Sequence, residues 1–132
     1  NTDIVETQFN RSSPLEKIDF YIKYKNYQKA IDMIGLLNLS GIKNELLQAE
    51  LYYRNGHSAA GQKLINGLFR SYPEDFQLRN SVGFFYLRRL NRINEALSSF
   101  KGSLNINENQ PGIKKLVDYL VGEIARISRY VM

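Results

Sequence analysis

Residues 82–104 read Val82-Gly83-Phe84-Phe85-Tyr86-Leu87-Arg88-Arg89-Leu90-Asn91-Arg92-Ile93-Asn94-Glu95-Ala96-Leu97-Ser98-Ser99-Phe100-Lys101-Gly102-Ser103-Leu104. Apolar residues recur at three- and four-residue spacing on both sides of the Leu90-Asn91 break: Val82, Phe85 and Tyr86 before it, Ala96, Leu97, Phe100 and Leu104 after it. That is the period of two amphipathic helices. Each carries a small residue, Gly83 or Ala96, which lets two antiparallel helices approach closely, while the aromatic fills the gap to the next pair. The stretch predicts a helical hairpin.

The same arrangement stands twice upstream, around Tyr27-Gln28-Lys29-Ala30-Ile31 and Ser58-Ala59-Ala60-Gly61-Gln62. The small residues Ala30, Gly61 and Ala96 are 31 and 35 positions apart. Four residues after each comes a bulky apolar group, Ile34, Ile65 or Phe100. A tyrosine precedes each by nine residues, or by ten in the third copy: Tyr21, Tyr52 and Tyr86. Three residues before the tyrosine stand Ile18, Ala49 and Gly83. A hairpin of this kind cannot bury its apolar face alone, so hairpins stack.

Helical spacing runs from Ser13 to the end, broken at Lys25-Asn26, Ser40-Gly41, Asn55-Gly56, Tyr72-Pro73, Leu90-Asn91 and Asn109-Gln110-Pro111-Gly112. No alternation is long enough for a strand. Ser13-Pro14-Leu15-Glu16 opens the first helix, with a capping serine, proline at the first helical position and glutamate three residues after the cap. Before it, Asp3 and Glu6 have capping-box spacing, and Ile4, Val5 and Phe9 can tuck one side of the segment onto a neighbour. Seven helices with short connections fit a plain bundle or an α-solenoid, and the internal repetition favours the solenoid.

Taken together, these residues resemble the tetratricopeptide repeat (TPR) family, whose period is about 34. The second copy carries Ala49, Tyr52, Gly56, Ala60-Gly61, Ile65, Leu68 and Pro73 at consensus positions. The third carries Val82-Gly83-Phe84-Phe85-Tyr86 and Asn94-Glu95-Ala96, with one extra residue near Arg92. The first keeps Tyr21, Asn26-Tyr27 and Ala30, has Lys17-Ile18 where Leu-Gly is usual, and is followed by a shortened linker. The resemblance implies an all-α solenoid of stacked antiparallel helix pairs in a right-handed superhelix. The expected organisation is one domain over 1–132: an N-terminal segment (1–12), a degenerate repeat (13–40), two further repeats (41–74 and 75–109) and a capping helix (111–130).

Composition narrows the chemistry. The 132 residues hold no cysteine, one histidine and a formal charge of +5. Disulfides, thiolate metal sites, Cys nucleophiles and two-His metal sites are therefore excluded. No uncharged stretch approaches the roughly 20 apolar residues of a membrane span. The charge permits an acidic partner but is too mild to demand nucleic acid. His57 reads as a surface turn residue, and Glu74-Asp75 as the cap of the helix starting near Phe76. No phosphate loop, HExxH or GxSxG occurs, so neither an enzyme nor a cofactor or metal is expected. Asn10-Arg11-Ser12 and Asn38-Leu39-Ser40 match the glycosylation pattern at the frequency chance supplies. The chain starts at Asn1 rather than Met, which points to a processed form or excised piece. Cytoplasm and bacterial periplasm are both open.

The resemblance implies a concave groove lined by the first helix of each pair. Its residues would be Lys43, Leu46, Glu50, Tyr53 and Arg54 in the second pair and Gln77, Asn80, Phe84, Leu87 and Arg88 in the third. Leu15, Asp19, Ile22 and Lys23 follow in the first. Tyr53, Phe84 and Leu87 would anchor apolar side chains, while Lys43, Arg54 and Arg88 would favour acidity. The expected function is non-catalytic protein–protein interaction, with a peptide segment of a partner held in that groove. The competing use of the same aromatics is to pack under the N-terminal segment or the last helix. The Lys/Asn/Arg clamp by which family members hold acidic chaperone tails is missing: Leu15, Asp19, Leu47, Gln77 and Ser81 stand there instead. The alternative function is homo-oligomerisation through the terminal helices, using a stripe of Ile113, Leu116, Leu120, Ile124 and Ile127. Nucleic-acid or anionic-lipid binding would need Arg88, Arg89 and Arg92 joined to Lys114, Lys115, Arg126 and Arg129 in one stripe.

Overall fold

The structure, a computed structural model, describes residues 9–38 and 41–131. The expectations placed on Asp3, Ile4, Val5, Glu6, Leu39 and Ser40 lie outside the described residues. Among the described residues there is no strand, and seven helices of ten or more residues follow in order. They are α1 (Pro14–Lys23), α2 (Tyr27–Leu36), α3 (Ile42–Arg54), α4 (Ser58–Ser71), α5 (Phe76–Arg88), α6 (Ile93–Ile106) and α7 (Pro111–Val131). The protein is all-α, and the breaks between helices fall where the punctuation residues cluster.

Local chemistry accounts for the helix starts. Ser13 Oγ accepts from the Glu16 backbone N–H at 3.2 Å, and Pro14 takes the first helical position where a missing N–H costs nothing. Asp75 does the same for α5, accepting from the Leu78 N–H at 2.9 Å.

The repeat is written in the backbone as well. The turns inside the three pairs each hold one residue in the left-handed region: Lys25 (φ 60°), Gly56 (φ 81°) and Asn91 (φ 53°). Their spacing is that of the small residues Ala30, Gly61 and Ala96. In each turn the next N–H reaches back to the repeat tyrosine: Asn26 to the Tyr21 carbonyl at 2.7 Å, His57 to Tyr52 at 2.8 Å and Arg92 to Tyr86 at 2.9 Å. These bonds satisfy carbonyls that a helix C-terminus would otherwise leave unpaired. The third turn, residues 89–92, is one residue longer than the second, residues 55–57, and absorbs the extra residue near Arg92.

Contacts divide the chain into two compact units, Asn1–Ile65 and Asn66–Met132, with the division inside α4. In the first unit the core is Ile18, Ala30, Ile31, Ile34 and Leu51, with Tyr21, Tyr27, Leu47 and Tyr52 packed against it. Gly61 lets α4 approach α3: a Cβ there would lie 2.8 Å from the Tyr53 ring and 3.0 Å from the Ala49 carbonyl. Phe9, from the N-terminal segment, sits 5.2 Å from Phe20 and 5.3 Å from Tyr21 between ring centroids.

In the second unit α5 and α6 form the hairpin expected over residues 82–104. Leu78, Val82, Phe85, Tyr86, Ala96 and Phe100 are buried. A Cβ on Gly83 would stand 2.6 Å from the Phe100 ring, so only glycine permits this approach. The far end of the hairpin is tied by polar groups. Ser103, fully buried, donates to the Phe76 carbonyl at 3.1 Å. Gln110 donates to Ser103 Oγ at 3.0 Å and to the Asn107 carbonyl at 2.7 Å, and accepts from Asn80 at 2.8 Å. Helix α7 packs on α6 through the stripe read from its sequence: Leu120 is buried, and Ile113, Leu116 and Ile124 are half-buried.

Candidate functional site

The family resemblance implied ten groove residues, five on α3 and five on α5. In the first unit Lys43 is exposed and Leu46 half-buried. Tyr53 lays its ring against Gly61 and donates from its hydroxyl to Gln62 Oε1 at 3.1 Å. Glu50 departs from the expectation: it is 7% exposed, and its carboxylate accepts from Arg54 Nε at 2.8 Å, one helical turn on. A carboxylate turned toward the packed side needs such a partner, because an unpaired buried charge is costly. Arg54 serves Glu50 before it serves any ligand. Of the first pair, Leu15, Asp19 and Lys23 are exposed, while Ile22 packs against the core.

On α5 the assigned residues also divide. Asn80 belongs to the internal network, with Nδ2 donating to Gln110 and Oδ1 buried without a hydrogen-bond partner among the described residues. Phe84 meets Phe100 edge-on at 5.0 Å between centroids, and the Arg88 guanidinium lies over the Phe84 ring at 4.5 Å. Gln77 and Arg88 are exposed and Leu87 is half-buried. The end of α5 thus presents an aromatic fixed from beneath, a leucine beside it and a cation on top. A guanidinium stacked on a ring keeps N–H donors for a carboxylate, and the stacking costs it little of that capacity.

The basic residues are spent separately. Arg92 pairs with Glu95 at 3.3 Å and Arg126 with Glu123 at 3.0 Å. The hydrogen bond from Arg126 holds the Glu123 carboxyl below the usual carboxylate range and raises the guanidinium in turn. On α7 the large apolar side chains left exposed are Tyr119, Val121, Ile127 and Tyr130. Only Ile127 belongs to the stripe named for self-association.

Among the described residues no group of three His, Cys, Asp or Glu could hold a metal ion, and no helix is long and apolar enough to cross a membrane. Sequence reasoning passed over the Ser103–Gln110–Asn80 network and over Arg79. Serine, glutamine and arginine at those positions carry no periodic signal that separates a buried role from a solvated one.

No family model and no curated protein matches the chain. Among solved structures it is similar to one described as "MamA MSR-1 C2", at 16% identity and a TM-score of 0.37, covering 85% of each chain. A point mutant of MamA overlaps with 16% identity and a TM-score of 0.36, over 98% of this chain and 93% of that one. Overlap of that extent says nothing of partner or activity.

Proposed function

We propose that the protein is a non-catalytic interaction module that binds a peptide segment of a partner, with apolar side chains and some acidity in the peptide. The observation that carries this reading is the end of α5. Phe84 is held between Phe100 and Arg88, Leu87 is half-exposed beside it, and Gln77 is exposed on the same helix. An apolar anchor pre-positioned next to an arginine is the composition that concentrates binding energy at interfaces. A rigid helix presents it without an ordering cost. Lys43 and Leu46 offer a second, smaller patch of the same chemistry on α3.

The test is selection of peptides from a displayed library on the immobilised protein, followed by fluorescence anisotropy on the selected sequences. Leu87→Ala and Arg88→Ala, both at residues outside the buried core, each weaken binding by about tenfold, a typical loss for an anchor residue. Selected peptides that bind the double variant as well as the parent would refute the reading. A self-association reading has its own support in the exposed Tyr119, Val121, Ile127 and Tyr130. A monomer in sedimentation at high micromolar concentration rules it out.

A further inference from the structure

Arg79 is the unexplained cation of the second unit. It leaves α5 on the side of Val82 and Gly83, and its guanidinium lies over the Phe69 ring at 4.3 Å. Its Nε is buried and has no hydrogen-bond partner among the described residues. A Cβ on Gly102 would come within 2.9 Å of its Nη1, so the absent side chain at Gly102 is what makes room for the group. Around it lies a shallow depression lined by Asn94, Leu97, Ser98, Lys101, Gly102 and Asn105, one face of α6. Among the described residues no carboxylate lines it. A buried donor is nearly always paired, so the orphaned Nε marks a costly seat, and the part of Arg79 that a ligand can reach is the part that lines the depression.

We propose that this depression binds a carboxylate carried by a partner polypeptide, an Asp or Glu side chain. The planar fork of Arg79 matches a carboxylate's two oxygens. Lys101 adds a second positive charge at the rim, and Asn94, Ser98 and Asn105 supply neutral polar contacts beside it. The site uses none of the α5 residues proposed above for peptide anchoring, so the two assignments stand or fall separately.

The test is a nitrogen-15 NMR titration of the full chain with a blocked Glu-Glu dipeptide at constant ionic strength, with inorganic phosphate in a parallel arm. The Arg79 Nε–H resonance and the Ser98 and Lys101 amides shift and saturate with the dipeptide. Lys101→Gln, at an exposed position, weakens the binding severalfold. Arg79→Lys, which keeps the charge and loses the fork, weakens it by about tenfold. If Arg79→Lys does not fold, Lys101→Gln decides alone. No saturable shift, or an unchanged titration in Lys101→Gln, overturns the proposal. Tighter binding of phosphate than of the dipeptide overturns the carboxylate assignment.

Discussion

Replacing Gly83 by alanine adds one methyl group at the tightest point of the α5–α6 hairpin. The new Cβ would stand 2.6 Å from two carbons of the Phe100 ring and 2.8 Å from a third, against ordinary contacts of 3.4–4 Å. The ring must therefore retreat by about 0.8 Å, or the helices must part. Phe100 is fully buried, and the edge-on Phe84 ring packs against it at 5.0 Å between centroids. Overpacking of this kind costs about 1–3 kcal/mol. The better helix propensity of alanine returns up to ~1 kcal/mol. With a fully buried ring as the obstacle, the expected net loss is about 2 kcal/mol. Urea unfolding followed by far-UV circular dichroism measures it, as a lower midpoint at unchanged slope. In a Phe100→Leu background the same substitution costs less, because the clashing carbons are gone, and the double-mutant cycle reports that coupling directly. Gly61→Ala is the internal comparison: its Cβ meets a half-buried Tyr53 ring that can swing and the Ala49 carbonyl at 3.0 Å, which cannot, so the loss is about 1 kcal/mol, smaller than at Gly83. A Gly83→Ala protein as stable as the parent would refute the close approach of α5 and α6.

Three further outcomes follow from local chemistry. Lys25→Gly relieves a left-handed backbone that costs an L-residue about 1 kcal/mol or more, and raises the unfolding midpoint, whereas Gly56→Ala lowers it by a similar amount. Ser103→Ala removes a buried donor to the Phe76 carbonyl and an acceptor from Gln110, and costs about 1–3 kcal/mol in the same assay. Glu123 has its carboxyl pKa lowered by the Arg126 hydrogen bond, so the folded helix favours the ionised form. The pair's contribution is then fully present above the ordinary glutamate value of about 4.3 and fades as pH falls through the lower folded value. Both groups are exposed, so the midpoint difference between the parent and Glu123→Gln is small at neutral pH and vanishes in acid.

Helix boundaries were legible because the residues that end helices do so by their own backbone preferences. Asn55-Gly56 and Leu90-Asn91 supply the left-handed residue, Ser13-Pro14 and Asp75 supply caps, and Pro111 starts α7. A small residue on each helix of the third pair, Gly83 and Ala96, was legible from spacing, but that the Phe100 ring is what lies over Gly83 was not. What a helix face meets was harder to read. Glu50 was among the groove residues the resemblance implied, yet it is buried and paired with Arg54, because an i,i+4 cation lets a carboxylate face inward. The α7 stripe was visible as an apolar face, but periodicity does not say whether a neighbour in the same chain or a second copy covers it. Arg79 shows the same limit, since only the packing of α5 on α6 leaves its Nε without an acceptor among the described residues and makes Gly102 its seat.

The proposed docking point for a partner peptide is the end of α5. Chemical-shift mapping of the nitrogen-15-labelled protein with a library-selected peptide tests it most directly. Saturable shifts concentrate at Gln77, Phe84, Leu87 and Arg88, with the Arg88 side chain among the largest. Shifts of comparable affinity confined to α7, around Tyr119 and Tyr130, with α5 silent, would contradict it.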